Sequence, residues 1–193
     1  DAHIVSCDSM QVYKGMDILT SKPPLEIRKE IPHYLIDIVS PRKEYSCADY
    51  AKDALKKIKH ILSLAKIPLV VGGSGLYVKA LVDGIFSGPG RDDKLRKNLY
   101  NEAAKKGMEV LYERLKRLDI EAASKINPND ARRVVRALEV YALTKRPITD
   151  FKKEASGLSK DYNVIIVGLN RERQDLYSRI DDRVDEMFRD GLA

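Results

Sequence analysis

Three short apolar runs set the frame for this chain: Ile4–Cys7, Ile67–Val71 within IPLVVGG, and Val164–Gly168 within NVIIVGL. Each is continuous, rich in β-branched residues and bounded by polar or glycine residues. That is the pattern of a strand covered on both faces of a parallel sheet. Tyr34–Ile38 in PHYLIDIVSP is a weaker candidate of the same kind. Helical periodicity fills the gaps. Ser46 opens SCADYAKDALKKIKHILSLAK, where Ser46 and Asp49 have the spacing of a capping box. Ala51, Leu55, Ile58 and Leu62 mark the apolar face expected for that helix, and Leu76–Val82 reads as another. Strand and helix in alternation predict an α/β fold with a parallel sheet.

The alternation stops near Pro89. Up to Thr149 the pattern is helical throughout: Lys94–Lys106, Met108–Leu118, Ile120–Ile126 and Asp130–Thr144. The expected organisation is therefore an α/β core formed by residues 1–90 and 150–193, interrupted by an all-helical insertion at 91–149. KKEASGLSKDY reads as the polar loop that leads back to the sheet. A last helix, Arg171–Asp190, carries Leu176, Ile180, Val184 and Met187 at helical spacing, with Gly191 placed to end it.

Composition narrows the class. With 193 residues, 44% of them hydrophobic, the chain has material for one core and a small insertion. No apolar run approaches the roughly 20 residues of a membrane span, and the N-terminus has no signal-peptide pattern. Lys and Arg number 35 against 29 Asp and Glu, a net charge of +6, which favours phosphate-bearing partners. Cys7 and Cys47 are far apart, and His3, His33 and His60 form no cluster. A zinc site is not expected, and a reducing cytoplasmic setting is.

In parallel α/β sheets ligands bind beyond the carboxyl ends of the strands. Two such ends carry polar chemistry here. At the first, Asp8-Ser9-Met10-Gln11 follows the Ile4–Cys7 run. A carboxylate there has the chemistry of a general base or of a holder of a metal-bound water, and it is equally suited to capping the next segment. Gln11 can pair with an adenine edge. Thr20, Ser21 and Lys22 add hydroxyls and a cation before Pro23-Pro24. At the second end, Gly72-Gly73-Ser74-Gly75 links a strand to a helix. Adjacent glycines allow a close backbone approach and a helix N-terminus attracts anions, although Ser74 as a simple N-cap explains the same residues. No G-x-x-x-x-G-K-[ST] occurs in the chain. In NDARRVVRALEVY, Val134, Val135, Leu138 and Tyr141 fall on one side of a helix and Arg132, Arg133 and Arg136 on the other. Such a basic face suits phosphate contact.

Taken together, DSMQVYKGMDILTSKP, PHYLIDIVSP, YSCADYAKDA, IPLVVGGSGLYVKAL, INPNDARRVVRALEVY and YSRIDDRV resemble the tRNA dimethylallyltransferase (tRNA isopentenyltransferase) family, in the family's order and over nearly the whole chain. The resemblance implies a P-loop NTPase-like, nucleotide-kinase-like core. It implies transfer of a dimethylallyl group from dimethylallyl diphosphate to N6 of the adenosine beside the anticodon of a tRNA, with Mg²⁺ as cofactor. It makes Asp8 the general base and places Ser74, where the family usually has Thr, at the diphosphate or the reacting adenosine. Asp8, Ser9, Met10 and Gln11 become tRNA-contacting, as do Arg96, Arg132, Arg133, Val134, Val135 and Arg136. Arg179 matches a basic residue near the diphosphate. No protein metal ligand is assigned, and a cytoplasmic monomer binding the anticodon stem-loop is expected. Three departures accompany it. The family's P-loop is expected before Asp1, so the chain as it stands is expected to be inactive. Family segments that also touch tRNA are expected after Ala193. Leu19 stands where the family typically has Gly. The rival readings are an adenylate isopentenyltransferase acting on free nucleotide, a non-catalytic RNA-binding module, and a kinase sharing the fold.

Overall fold

The computed structural model describes residues 1–86 and 88–192. It divides into two compact units, one made of Asp1–Gly84 with Gly157–Ala193, the other of Ile85–Ser156. Among the described residues no helix is long and apolar enough to cross a membrane.

The first unit is built on a parallel sheet of three strands, β1 (Ala2–Ser6), β2 (His33–Tyr34) and β3 (Ile67–Val71), in the order β2-β1-β3. β1 pairs with β3 from Ala2↔Ile67 to Ser6↔Val71. The register brings both strands to the same level at their carboxyl ends, which is the consequence that matters for function. β2 is shorter than the apolar run Tyr34–Ile38 suggests. Leu35 and Asp37 adopt φ of 65° and 58°, a left-handed backbone that a strand cannot accommodate. Asp37 there receives Lys22 Nζ at 2.5 Å and Arg28 Nη1 at 2.7 Å. Lys22 also donates to Asp17 and to the Tyr13 carbonyl, so its buried ammonium has all three N–H groups satisfied. This knot closes the loop that carries the short helices α1 (Asp17–Thr20) and α2 (Leu25–Glu30), neither of which the sequence announces.

Helix α3 (Cys47–Ser63) starts at the expected capping box: Ser46 Oγ accepts from the Asp49 N–H, and the Asp49 carboxylate accepts from the Ser46 N–H. Its buried face is Tyr50, Ala54, Ile58 and Ile61, about one residue out of phase with the expected stripe, and Leu62 is exposed. The difference arises from Tyr50, which stacks on Tyr77 of α4 (Gly75–Val82) with ring centroids 4.1 Å apart. An amphipathic tyrosine is easily left off an apolar face when only aliphatic residues are counted.

Val164–Gly168 is not a strand. Ile165, Ile166 and Val167 are 69–83% exposed, and the described sheet ends at β3 with Ile67, Leu69 and Val71 exposed as well. An apolar run becomes a strand only when a neighbouring ladder accepts its backbone, and among the described residues no strand lies beside it.

The described elements of the second unit are all helices: α5 (Asp93–Lys106), α6 (Met108–Leu118), α7 (Ile120–Lys125), α8 (Ala131–Thr144) and α9 (Ile148–Glu154). Asp92, Asp119 and Asp130 cap α5, α7 and α8, each accepting from the backbone N–H three residues on. Buried Asp119 also accepts from the N–H and hydroxyl of Thr149, tying α7 to the start of α9. The core is aliphatic, with Leu111, Leu115, Val134, Val135 and Val140 at 0–1% exposure. The chain's last helix, α10 (Arg173–Arg189), belongs to the first unit and carries no buried residue.

Candidate functional site

At the carboxyl edge of the sheet the ends of β1 and β3 are locked together by their backbones. The Cys7 N–H donates to the Val71 carbonyl at 2.7 Å, and the Ser74 N–H donates to the Cys7 carbonyl at 3.2 Å. The approach is so close that a Cβ on Gly72 would overlap the Cys7 carbonyl group, so glycine is required there for space. Beyond this seam the Ser9 N–H donates to Ser74 Oγ at 2.9 Å, joining residues 65 apart in sequence. Ser74 occupies the N-cap position of α4, yet its side chain makes no capping bond. The hydroxyl faces Ser9 instead, and among the described residues its own proton has no acceptor.

Asp8 is half-buried beside it. One carboxylate oxygen, Oδ1, accepts from the N–H groups of Met10 at 2.7 Å and Gln11 at 3.3 Å. The group is thereby oriented, while Oδ2 has no partner among the described residues. Met10 is exposed at the tip of this turn. Gln11 is fully engaged: Oε1 accepts from Ser6 Oγ, and Nε2 donates to the carbonyls of Thr20 and Ser21. Its amide braces the Asp8 turn against the loop held by Lys22, so this conformation offers no free pair of groups to an adenine edge. Cys7 lies just below, buried against Tyr50. Burial pushes the Cys7 thiol up, which keeps it a packing residue and not a nucleophile. Burial likewise raises the Tyr77 hydroxyl to about 12.

Arg179 is not tied to this edge. It sits on exposed α10, where its Nε donates to Asp175 one turn earlier, and among the described residues no ion pair or hydrogen bond connects it to Asp8 or Ser74. No three His, Cys, Asp or Glu side chains converge as metal ligands among the described residues. The Ser74 hydroxyl is a hard oxygen donor of the kind Mg²⁺ accepts alongside phosphate oxygens and water.

The second unit holds the other candidates. Arg132 and Arg133 are exposed on α8; Arg133 pairs with Asp130, and Arg132 has no partner among the described residues. Val134 and Val135 are core residues, so their side chains hold the helix in place and are not available for contact. Arg96 and Arg136 meet at a residue that the sequence pattern does not single out. Glu139, fully buried in the apolar stretch Val134–Val140, accepts from Arg96 Nε at 2.8 Å and Nη2 at 2.9 Å, from Arg136 Nη1 at 2.6 Å and from the Asp92 N–H at 2.8 Å. Its only signal in the sequence is an acidic residue three positions after Arg136, on the side of the helix that also carries Arg132.

Burial alone would raise the Glu139 carboxyl; Arg96, the Asp92 N–H and Arg136 outweigh it and hold it at about 2. Because the folded value lies below the ordinary 4.5, the ion pair contributes its full stability above that pH and loses it as pH falls towards 2. Each tenfold gain in acidity corresponds to about 1.4 kcal/mol, so the whole is a few kcal/mol. Urea unfolding followed from pH 5 down to 2 should show a fall in stability that is shallower in Glu139→Gln. Parallel curves for the two proteins would place the acid sensitivity in other carboxylates.

Comparison with known proteins identifies the family. The profile of the family described as IPP transferase matches residues 11–193. The tRNA dimethylallyltransferase of Geobacter sulfurreducens is 44% identical over 98% of this chain and 61% of its own length. That of Thermotoga neapolitana is 48% identical over 100% of this chain and 62% of its own. A crystal structure of a eukaryotic dimethylallyltransferase acting on tRNA superposes with a TM-score of 0.77 at 31% identity, covering 98% of this chain and 47% of that one. The chain thus spans about three fifths of the length of the bacterial relatives it matches. A profile match over residues 11–193 and relatives 44% and 48% identical over nearly the whole chain lead to one conclusion: this chain belongs to the IPP transferase family.

Proposed function

We propose that the chain carries the acceptor side of a tRNA prenyltransferase, which moves a dimethylallyl group from dimethylallyl diphosphate to N6 of an adenosine beside the anticodon. The observation that carries this reading is the Asp8 carboxylate: one oxygen is anchored by two backbone N–H groups, the other is unpaired among the described residues, and the Ser74 hydroxyl stands on the adjoining strand end.

The chemistry follows from those groups. The adenine N6 lone pair is delocalised into the ring, so the amine attacks carbon weakly. As the new C–N bond forms at C1 of the dimethylallyl group, the C1–O bond breaks and diphosphate leaves with the electron pair. The N6 proton passes to Asp8 Oδ2, which becomes protonated as the amine would otherwise become cationic. The Ser74 hydroxyl donates to an oxygen of the substrate beside it. Mg²⁺, when bound to the diphosphate, neutralises the charge that builds on the leaving group. Extruding the target base from the anticodon loop costs roughly a few kcal/mol, and phosphate contacts from Arg132 and its neighbours on α8 offset that cost. Arg179 serves the diphosphate in this reading, and the enzyme works as a cytoplasmic monomer on its tRNA.

Transfer of radiolabelled dimethylallyl from its diphosphate, compared on tRNA and on AMP with the full-length protein, tests the proposal. Labelled tRNA with little labelled AMP is the outcome expected. Preference for AMP would identify a free-nucleotide enzyme, and RNA binding with no transfer to either would identify a binding module.

A further inference from the structure

Glu139 poses a question that stability does not answer. Taking a carboxylate out of water is costly, and replacing a buried ion pair by well-packed apolar residues is often neutral or stabilising. A leucine among Val134, Val135, Ala137, Leu138 and Val140 would extend the existing core. Instead the site sets one carboxylate against two arginines, where one would neutralise it, so these three side chains carry a net positive charge, with Asp93 also acting on Arg96.

The donors left over are informative. A guanidinium has five N–H groups. Arg96 uses two of them on Glu139, leaving three. Arg136 uses one on Glu139 and one on the Pro89 carbonyl at 2.9 Å, again leaving three. Neither side chain makes another hydrogen bond among the described residues, and both remain partly open to solvent, at 26% and 28%. Arg136 is further held by Phe86, whose ring centroid lies 5.8 Å away. Two arginines immobilised on one buried anchor, with N–H groups unused and net charge positive, have already lost the side-chain freedom that a mobile surface arginine gives up on binding. Arg132 lies one turn before Arg136 on α8 and adds a cation that has no partner among the described residues.

We propose that Glu139 is the positioning residue of a phosphate seat in the helical unit, fixing the Arg96 and Arg136 guanidiniums so that their remaining N–H groups receive RNA backbone phosphate. The inference rests on the RNA substrate proposed above and assigns Glu139 no contact with RNA and no part in the chemistry.

The test exploits a sign. Glu139→Gln removes a negative charge from the cluster. If only net charge mattered, RNA would bind more tightly and with a steeper salt dependence. Positioning demands the reverse. The full-length protein is titrated with a fluorescent anticodon stem-loop hairpin across a salt series, well below the melting temperature, with active fraction fixed by stoichiometric titration. Glu139→Gln is expected to weaken binding about tenfold and to flatten the log–log salt slope by about 0.7–0.9 for each phosphate no longer neutralised. Arg132→Ala provides the slope change for a single phosphate. Arg96→Lys keeps the charge but lacks the fork, and is expected to weaken binding too; it decides the matter by itself should Glu139→Gln not fold. Unchanged or tighter binding by folded Glu139→Gln, or unchanged binding by Arg96→Lys, overturns the inference and leaves the prenyltransferase reading standing. Failure of the unsubstituted protein to bind the hairpin overturns both.

Discussion

Asp8→Asn is expected to lower kcat for prenyl transfer by about 10²–10⁴-fold, the usual yield of a general base, with tRNA affinity changed no more than a few-fold. Asparagine is the informative replacement. Its carbonyl oxygen still accepts from the Met10 and Gln11 N–H groups, so the turn beyond β1 keeps its shape. What disappears is an oxygen able to take the N6 proton. Single-turnover transfer with the full-length protein at saturating dimethylallyl diphosphate separates this from binding, because a lost base slows the chemical step and leaves the RNA dissociation constant alone. Near-normal turnover in Asp8→Asn would remove Asp8 from the reaction and leave it as a turn-forming residue. A loss of affinity as large as the loss of rate would make it an RNA-binding residue.

The second large effect is structural and reaches the same edge by a different route. Gly72→Ala places a methyl carbon onto the carbonyl group of Cys7 and 2.9 Å from its Cα. All these atoms are backbone, so no side chain can swing aside to relieve the overlap. Relief requires the ends of β1 and β3 to part. That breaks the Cys7–Val71 and Ser74–Cys7 backbone bonds and carries Ser74 away from Ser9. A destabilisation of about 3 kcal/mol is expected, at the upper end of overpacking penalties, or roughly 6–12 °C in melting temperature for a chain of this size. Activity should fall even at temperatures where the protein stays folded. Gly73→Ala is the control: nothing lies within 4 Å of the added carbon, and its melting temperature should stay close to that of the unsubstituted protein. Equal melting temperatures for the two variants would mean that the seam yields easily and does not hold the site.

Both effects depend on groups that are visible in the sequence and on a juxtaposition that is not. Local chemistry announces itself: the helical pattern of α5, α6 and α8 gives their extents to within a residue, Ser46 and Asp49 mark the start of α3, and Ile67–Val71 is a strand over the residues expected. Asp8 and Ser74 stand out because polar and glycine residues follow apolar runs directly. The misses share a cause. The left-handed backbone at Leu35 and Asp37, which cuts β2 to two residues, is stabilised by Lys22 and Arg28 from elsewhere in the loop. Val164–Gly168 has the composition of a strand but no ladder beside it among the described residues. Glu139 looks like a solvated helix residue until Arg96, 43 positions earlier, is folded against it.

Which of the longer segments are helical, where the apolar runs end and which side chains have reactive chemistry can be read from the order of residues, whereas the short helices α1, α2 and α9 cannot. The legible features follow from side-chain periodicity and from bonds between residues a few positions apart. That Ser74 meets Ser9, that Gln11 is a brace and that two arginines share one buried carboxylate emerges only once the chain is folded. Those pairings span separations of up to 65 residues, and a residue's own neighbours in sequence carry no information about which distant group will satisfy it.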